Sequence, residues 1–221
     1  VIAKVALILE KDLRTELRAK DILTAMAYFS LLVLIIFNFA IDLREVSVDA
    51  VAPGILWVSF AFASVLGLNR TFVREQERNA IEGLMLCPMD RSAIYLGKLA
   101  GNVVFMLVVE AITVPLFIVL FNLSSIGFGL IPALALGTIG FASLGTLFAA
   151  LAVNTRTREV MLPVLLFPLV VPIVIAAVKA TGFAIGALAP DRALPWLNLM
   201  VVFDIIFIVV SYLVFGYVLE E

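Results

Sequence analysis

Residues 99–121 read LAGNVVFMLVVEAITVPLFIVLF, an apolar run interrupted by a single charged residue, Glu110. About 20 predominantly apolar residues, rising about 1.5 Å each along a helix, match the hydrocarbon core of a bilayer. The stretch therefore reads as a transmembrane helix. An acid at the bilayer centre costs about 2.5–3.5 kcal/mol on insertion scales, and each Leu, Ile, Phe or Val contributes about 0.3–0.6 kcal/mol in the other direction. This run holds enough of them to insert with Glu110 in place. Once inserted, the acid needs a partner and should turn away from lipid.

Working outward, five further runs of the same kind are predicted at about 22–41, 53–68, 130–153, 160–178 and 197–219. They account for a hydrophobic content of 64% and a mean hydropathy of +1.19, well beyond a soluble domain. The 221 residues thus read as one all-α membrane domain, 1–221, with six spans. With no histidine and one cysteine, Cys87, the chain has no Ser-His or Cys-His pair, no HExxH zinc site and no intramolecular disulfide. No metal site or catalytic residue is expected, and no composition signal points to nucleic acid.

Before the first span, residues 1–21 (VIAKVALILEKDLRTELRAKD) are amphipathic. Ile2, Val5, Leu9, Leu13 and Leu17 recur at helical spacing, with Lys4, Lys11, Arg14 and Arg18 opposite. Such a helix lies in the headgroup layer with its basic face towards anionic lipid. Orientation follows from the connections. Segment 1–21, segment 70–98 and the NTRTRE connection together carry twelve Lys and Arg, whereas Arg44, Lys179 and Arg192 are the three on the opposite side. The positive-inside rule then predicts cytoplasmic termini and a cytoplasmic segment 70–98.

That segment contains REQERNAIEGLMLCPMDRSAIYLGK, residues 74–98. Glu75, Asn79 and Glu82 share one face of a predicted helix, and Ile81, Leu84 and Met85 another. Pro88 ends that helix, and Asp90 is placed to cap the next, which passes Arg91 and enters the third span. A helical hairpin with an apolar patch and a charged rim is a docking surface for a soluble partner.

Three further features could carry function. Asp204 and Glu110 are intramembrane acids, candidates for a proton or substrate path; as merely structural groups they would pair with Asn102, Thr113 or Ser211. Pro163, Pro168 and Pro172 in the fifth span predict a bent or segmented helix, as in cavity-lining or gating helices. Gly97 and Gly101, and Gly137, Gly140, Ser143 and Gly145, predict close helix packing. Residues 179–196 read as one or two short outer-leaflet helices broken near Pro190 and Pro195.

Segment 74–98 resembles the loop between spans two and three of the membrane subunits of ABC-2-type exporters, where it docks on an ATPase subunit. EKDLRTELRAKDIL (10–23), PGILWVSFAF (53–62), LGLNRTF (66–72), LGTLFAALAVNTRTREVMLPVLLFPL (144–169) and FDIIF (203–207) resemble the haem exporter B subunits of cytochrome c maturation. The resemblance implies a surface elbow helix, six spans and a coupling helix within Glu75–Asp90. It also implies a permease subunit in the bacterial inner membrane, expected as a homodimer. Its partners would be a separate ATPase that binds ATP, a haem-handling membrane protein, a small membrane subunit and a periplasmic haem chaperone. This chain has no G-x-x-x-x-G-K-[ST] of its own. Haem would be cargo or a transferred ligand and, without histidine, would meet apolar, polar or Met side chains. A proton-coupled secondary transporter using Glu110 and Asp204 is the alternative that the residues leave open.

Overall fold

The computed structural model describes residues 2–41, 47–77, 90–123, 127, 129–153, 158–186 and 190–218. They form seven helices: α1 (Ile2–Ala19), α2 (Asp21–Ala40), α3 (Val48–Glu77), α4 (Arg91–Leu120), α5 (Leu130–Val153), α6 (Arg158–Ala184) and α7 (Pro190–Val218). From α2 onward, all six are long and apolar enough to cross a membrane. The protein is an all-helical integral membrane protein, and each predicted span falls on one of these helices, passing its end by no more than one residue. Several helices run past the apolar run, because nothing in the flanking residues stops them: α4 begins eight residues before Leu99.

The layers follow from which helices have a face to spare. α3 and α5 are buried along most of their length, whereas α2, α4, α6 and α7 turn rows of Leu, Ile, Val and Phe outward. An exposed apolar belt of that extent is what a bilayer covers. At the centre, α5 packs on α3, α4, α6 and α7. Its small residues make this possible. A Cβ at Gly137 would lie 2.0 Å from the Trp57 ring, one at Gly145 2.3 Å from Leu68, and one at Gly140 1.9 Å from Ile173. Without side chains at these points, helix backbones approach closely, and packing contacts hold the bundle in a solvent as apolar as its own surface.

Helix ends are closed by local bonds, as burial in lipid requires. α4 stops at Asn122, which takes the left-handed conformation with φ 50°. Leu123 N–H then donates to Ile118 O at 3.1 Å and Asn122 N–H to Val119 O at 3.3 Å, the two bonds of a Schellman turn. Gly186, at φ 86°, closes α6, its N–H donating to Phe183 O at 3.0 Å. Two further carbonyls there are met from outside: Leu120 O accepts from Asn38 Nδ2 at 2.8 Å, and Ala184 O accepts from Gly127 N–H at 2.9 Å.

Two expectations change. Residues 179–184 are the end of α6 and residues 190–196 the start of α7, so the described part of the fifth connection holds no separate short helices. Pro190 is the first residue of α7, where its missing N–H is no loss, and Pro195 removes only one donor soon after. Of the two forms expected for the fifth span, bent or segmented, the segmented one is not seen: α6 is one helix through Pro163, Pro168 and Pro172. Pro168 and Pro172 are exposed and Pro163 half-buried, while the opposite side buries Leu162, Leu166, Val170 and Ile173. The prolines therefore face outward.

Candidate functional site

The helix termini that carry most of the basic residues (the basic end, below) meet in an interlocked polar junction. α1 has three faces, where the sequence suggested two. Ile8, Asp12 and Glu16, spaced one turn apart, are buried. The apolar edge with Ile2 and Leu17, and the basic edge with Arg14 and Arg18, are exposed. The buried face fits a groove on α4: a Cβ at Gly97 would sit 2.7 Å from Ile8, and one at Gly101 3.6 Å from Asp12 Oδ2. In that groove Lys98 Nζ, only 1% exposed, donates to Asp12 Oδ2 at 2.8 Å. Nζ also lies over the ring of Phe72, 5.8 Å from its centroid. The ion pair is desolvated at both ends, so it holds only because each charge has its partner.

One turn on, Glu16 Oε1 accepts from the backbone N–H groups of Ile22 and Leu23 at 2.8 and 2.9 Å. These are orphan donors at the start of α2, and a carboxylate there suits the helix dipole. Lys20, left-handed at φ 59°, makes the corner between α1 and α2. Asp12, Glu16 and Lys98 were not singled out from the sequence. The available signal was the one-turn spacing of the two acids, set beside the apolar stripe.

The predicted coupling residues fall at the edge of this junction. Glu75 lies in the last turns of α3, its side chain not described, and Glu82, Leu84, Met85 and Pro88 lie outside the described residues. Asp90 occupies the N-cap of α4 with an extended backbone. Its side chain makes no capping bond; Ala93 N–H bonds to its carbonyl at 2.9 Å instead. Arg91 donates to Gly216 O at 3.1 Å and Ser92 Oγ to Tyr212 O at 3.3 Å. A guanidinium thus meets the last turn of α7, where free carbonyls favour positive charge.

A polar seam continues inward along α5. Asn102 of α4 accepts from Thr71 Oγ1 at 3.2 Å and donates to Thr146 Oγ1 at 2.9 Å, which joins α3, α4 and α5. Tyr95 OH donates to Ser143 O at 3.1 Å. Deeper, Thr138 Oγ1 donates to Glu110 Oε1. Two of the expected partners are otherwise engaged, since Thr113 pairs with Ser30 at 3.0 Å and Asn102 lies in the seam. Glu110 Oε2 and both carboxyl oxygens of Asp204 have no hydrogen-bond partner among the described residues, and neither has Ser211 Oγ. Asp204 is 5% exposed and fits because residue 140 is glycine: a Cβ there would lie 2.5 Å from Asp204 Oδ1. Glu110 and Asp204 thus approach α5 two residues apart. No cluster of three or more metal-ligating side chains occurs among the described residues.

The family model described as CcmB protein matches residues 3–220. The chain belongs to the CcmB family. Relatives named heme exporter protein B agree along most of its length. That of Paracoccus denitrificans is 30% identical over 192 residues, 86% of this chain and 88% of the relative. That of Rhodobacter capsulatus is 30% identical over 169 residues, 76% and 78% of the two chains. The Escherichia coli K12 protein is 29% identical over 176 residues, 78% and 79%. For a CcmB chain, the junction at the basic end and the two orphaned acids are the features that packing alone leaves unexplained.

Proposed function

We propose that this chain is the membrane subunit of an ATP-driven complex for cytochrome c maturation, coupling ATP hydrolysis on a separate subunit to haem export or to release of a haem-loaded periplasmic chaperone. The observation that carries this reading is the CcmB match across residues 3–220, with relatives named for haem export. The geometry supplies a route for the motion. α4 runs unbroken from Arg91 to Leu120, about 45 Å at 1.5 Å per residue. Its first turns are tied to α1 by the Asp12–Lys98 pair and to α7 by Arg91 and Ser92. A push on Glu75–Asp90 would therefore be carried along one continuous helix, with Pro115 in its last turns, towards the far side of the membrane.

In this reading the termini and residues 70–98 are cytoplasmic in the bacterial inner membrane. Glu75, Glu82, Leu84, Met85, Pro88, Asp90 and Arg91 form the contact with the ATPase. The subunit works as a homodimer beside a haem-handling membrane protein, a small membrane subunit and a periplasmic haem chaperone. The test is a mild-detergent pull-down from native membranes. A stoichiometric P-loop ATPase that is lost when residues 75–90 become a Gly/Ser linker supports it. Glu82→Lys or Leu84→Asp should then abolish c-type cytochromes with insertion intact; normal cytochrome levels would sink the assignment.

The orphaned oxygens of Glu110 and Asp204 favour one second reading, a proton-coupled secondary transporter. Activity that follows a pH gradient without an ATPase would select it.

A further inference from the structure

We infer that the basic edge of α1 holds a binding site for the headgroup of an anionic phospholipid. Leu7, Glu10, Lys11, Arg14, Thr15 and Arg18 line a groove on the outer side of the helix. Three cations and one carboxylate leave it net positive. Glu10 is taken up by Arg14, one turn away. Arg18, the next residue on that row, makes no ion pair among the described residues. A phosphate between Arg14 and Arg18 would complete the row with charge-assisted bonds to two guanidinium groups.

Position selects a lipid over a free anion. The exposed apolar edge of the same helix, Ile2 and Leu17, adjoins this row on the side away from the protein core. α1 itself is locked against α4 and α2 at the start of the first span. A helix so placed sets its apolar edge at acyl-chain depth, and its neighbouring basic edge at the level of phosphates. One molecule can therefore satisfy both edges, with acyl chains on Leu17 and phosphate on Arg14 and Arg18.

The site also connects inward. Lys11 Nζ lies 3.2 Å from Asp12 Oδ1, while Lys98 holds Oδ2 of the same carboxylate. A phosphate drawing on Lys11 leaves Asp12 more fully to Lys98. Headgroup occupancy would thus tighten the joint between α1 and α4. This inference rests on the membrane fold and is independent of the proposed ATPase coupling.

The test uses the full chain, solubilised with its co-purifying subunits and titrated with phosphatidylglycerol or phosphatidylcholine, bound lipid being counted by native mass spectrometry. Phosphatidylglycerol should bind preferentially. Arg14→Gln/Arg18→Gln should weaken that binding about tenfold or more, and Lys179→Gln, at the other end, should not. Equal binding of the two lipids, or phosphatidylglycerol binding untouched by the double variant, would overturn the site. Loss of a co-purifying subunit with lipid selection intact would also overturn it, assigning the groove to a protein contact. Arg18→Gln alone, in a residue without an ion pair, checks the result should the double variant misfold; it should give a smaller loss of the same sign.

Discussion

Lys98 and Asp12, 86 residues apart, form a buried ion pair of 2.8 Å that fixes the surface helix α1 to the helix leaving the segment 70–98. Lys98→Met leaves Asp12 with only its contact to the part-exposed Lys11, and removing both Asp12 and Lys98 leaves no buried charge to compensate. Lys98→Met should therefore lower stability by about 1.5–3 kcal/mol, read as the unfolding midpoint in detergent, and Asp12→Leu combined with Lys98→Met should recover much of it. A double variant as unstable as the worse single one would show that the pair is not coupled as described.

Glu16 tests the corner between α1 and α2. Glu16→Ala removes a carboxylate accepting two N–H groups and should cost about 1 kcal/mol, with Glu16→Gln less severe. Hydrogen exchange at Ile22 and Leu23 should quicken in both variants and stay unchanged elsewhere in α2.

Glycines in this bundle should respond to alanine with opposite signs. A Cβ at Gly54 meets nothing within 4 Å, whereas one at Gly137 or Gly140 collides with Trp57 or Ile173. Gly54→Ala should leave stability equal or raise it by up to about 1 kcal/mol. Gly137→Ala and Gly140→Ala should each lower it by about 1–3 kcal/mol. Thermal midpoints of the three variants in one detergent decide the matter.

Asp204 separates stability from function. Its carboxyl oxygens have no partner among the described residues, and an apolar group of similar shape in place of an unsatisfied polar one is neutral or stabilising. Asp204→Leu should unfold no earlier than wild type, and Asp204→Asn should retain the ATPase subunit in pull-downs. Both should reduce c-type cytochromes in membranes. Full cytochrome levels in both would leave Asp204 a tolerated oddity of packing.

The spans were legible because apolar length is a property of the chain itself, and the packing role of Gly97 and Gly101 was legible from spacing. What could not be read was pairing. On the sequence Asp12 and Glu16 resemble ordinary surface acids of an amphipathic helix, and Lys98 counts simply as one more basic residue beside a membrane. Their burial depends on α1 folding back onto α4, which local periodicity does not encode. Thr138 escaped notice for the same reason: a lone threonine in an apolar run acquires meaning only when Glu110 arrives opposite. Pro190 and Pro195 misled because their effect depends on position within a helix whose start was misplaced.

The glycine-lined surface of α5 bears on how the chain is made. Two of the four helices that α5 packs on, α6 and α7, follow it in the sequence, and synthesis proceeds from the N-terminus. Gly137 and Gly145 are covered by Trp57 and Leu68 of α3 and Gly140 in part by Ile173 of α6, but until α7 enters the membrane the side of α5 that receives Asp204 faces lipid or a stranger helix. The native bundle is therefore completed by its last-made segment. A nascent chain halted before residue 190 would be a natural target for membrane proteases, however well its first spans had inserted.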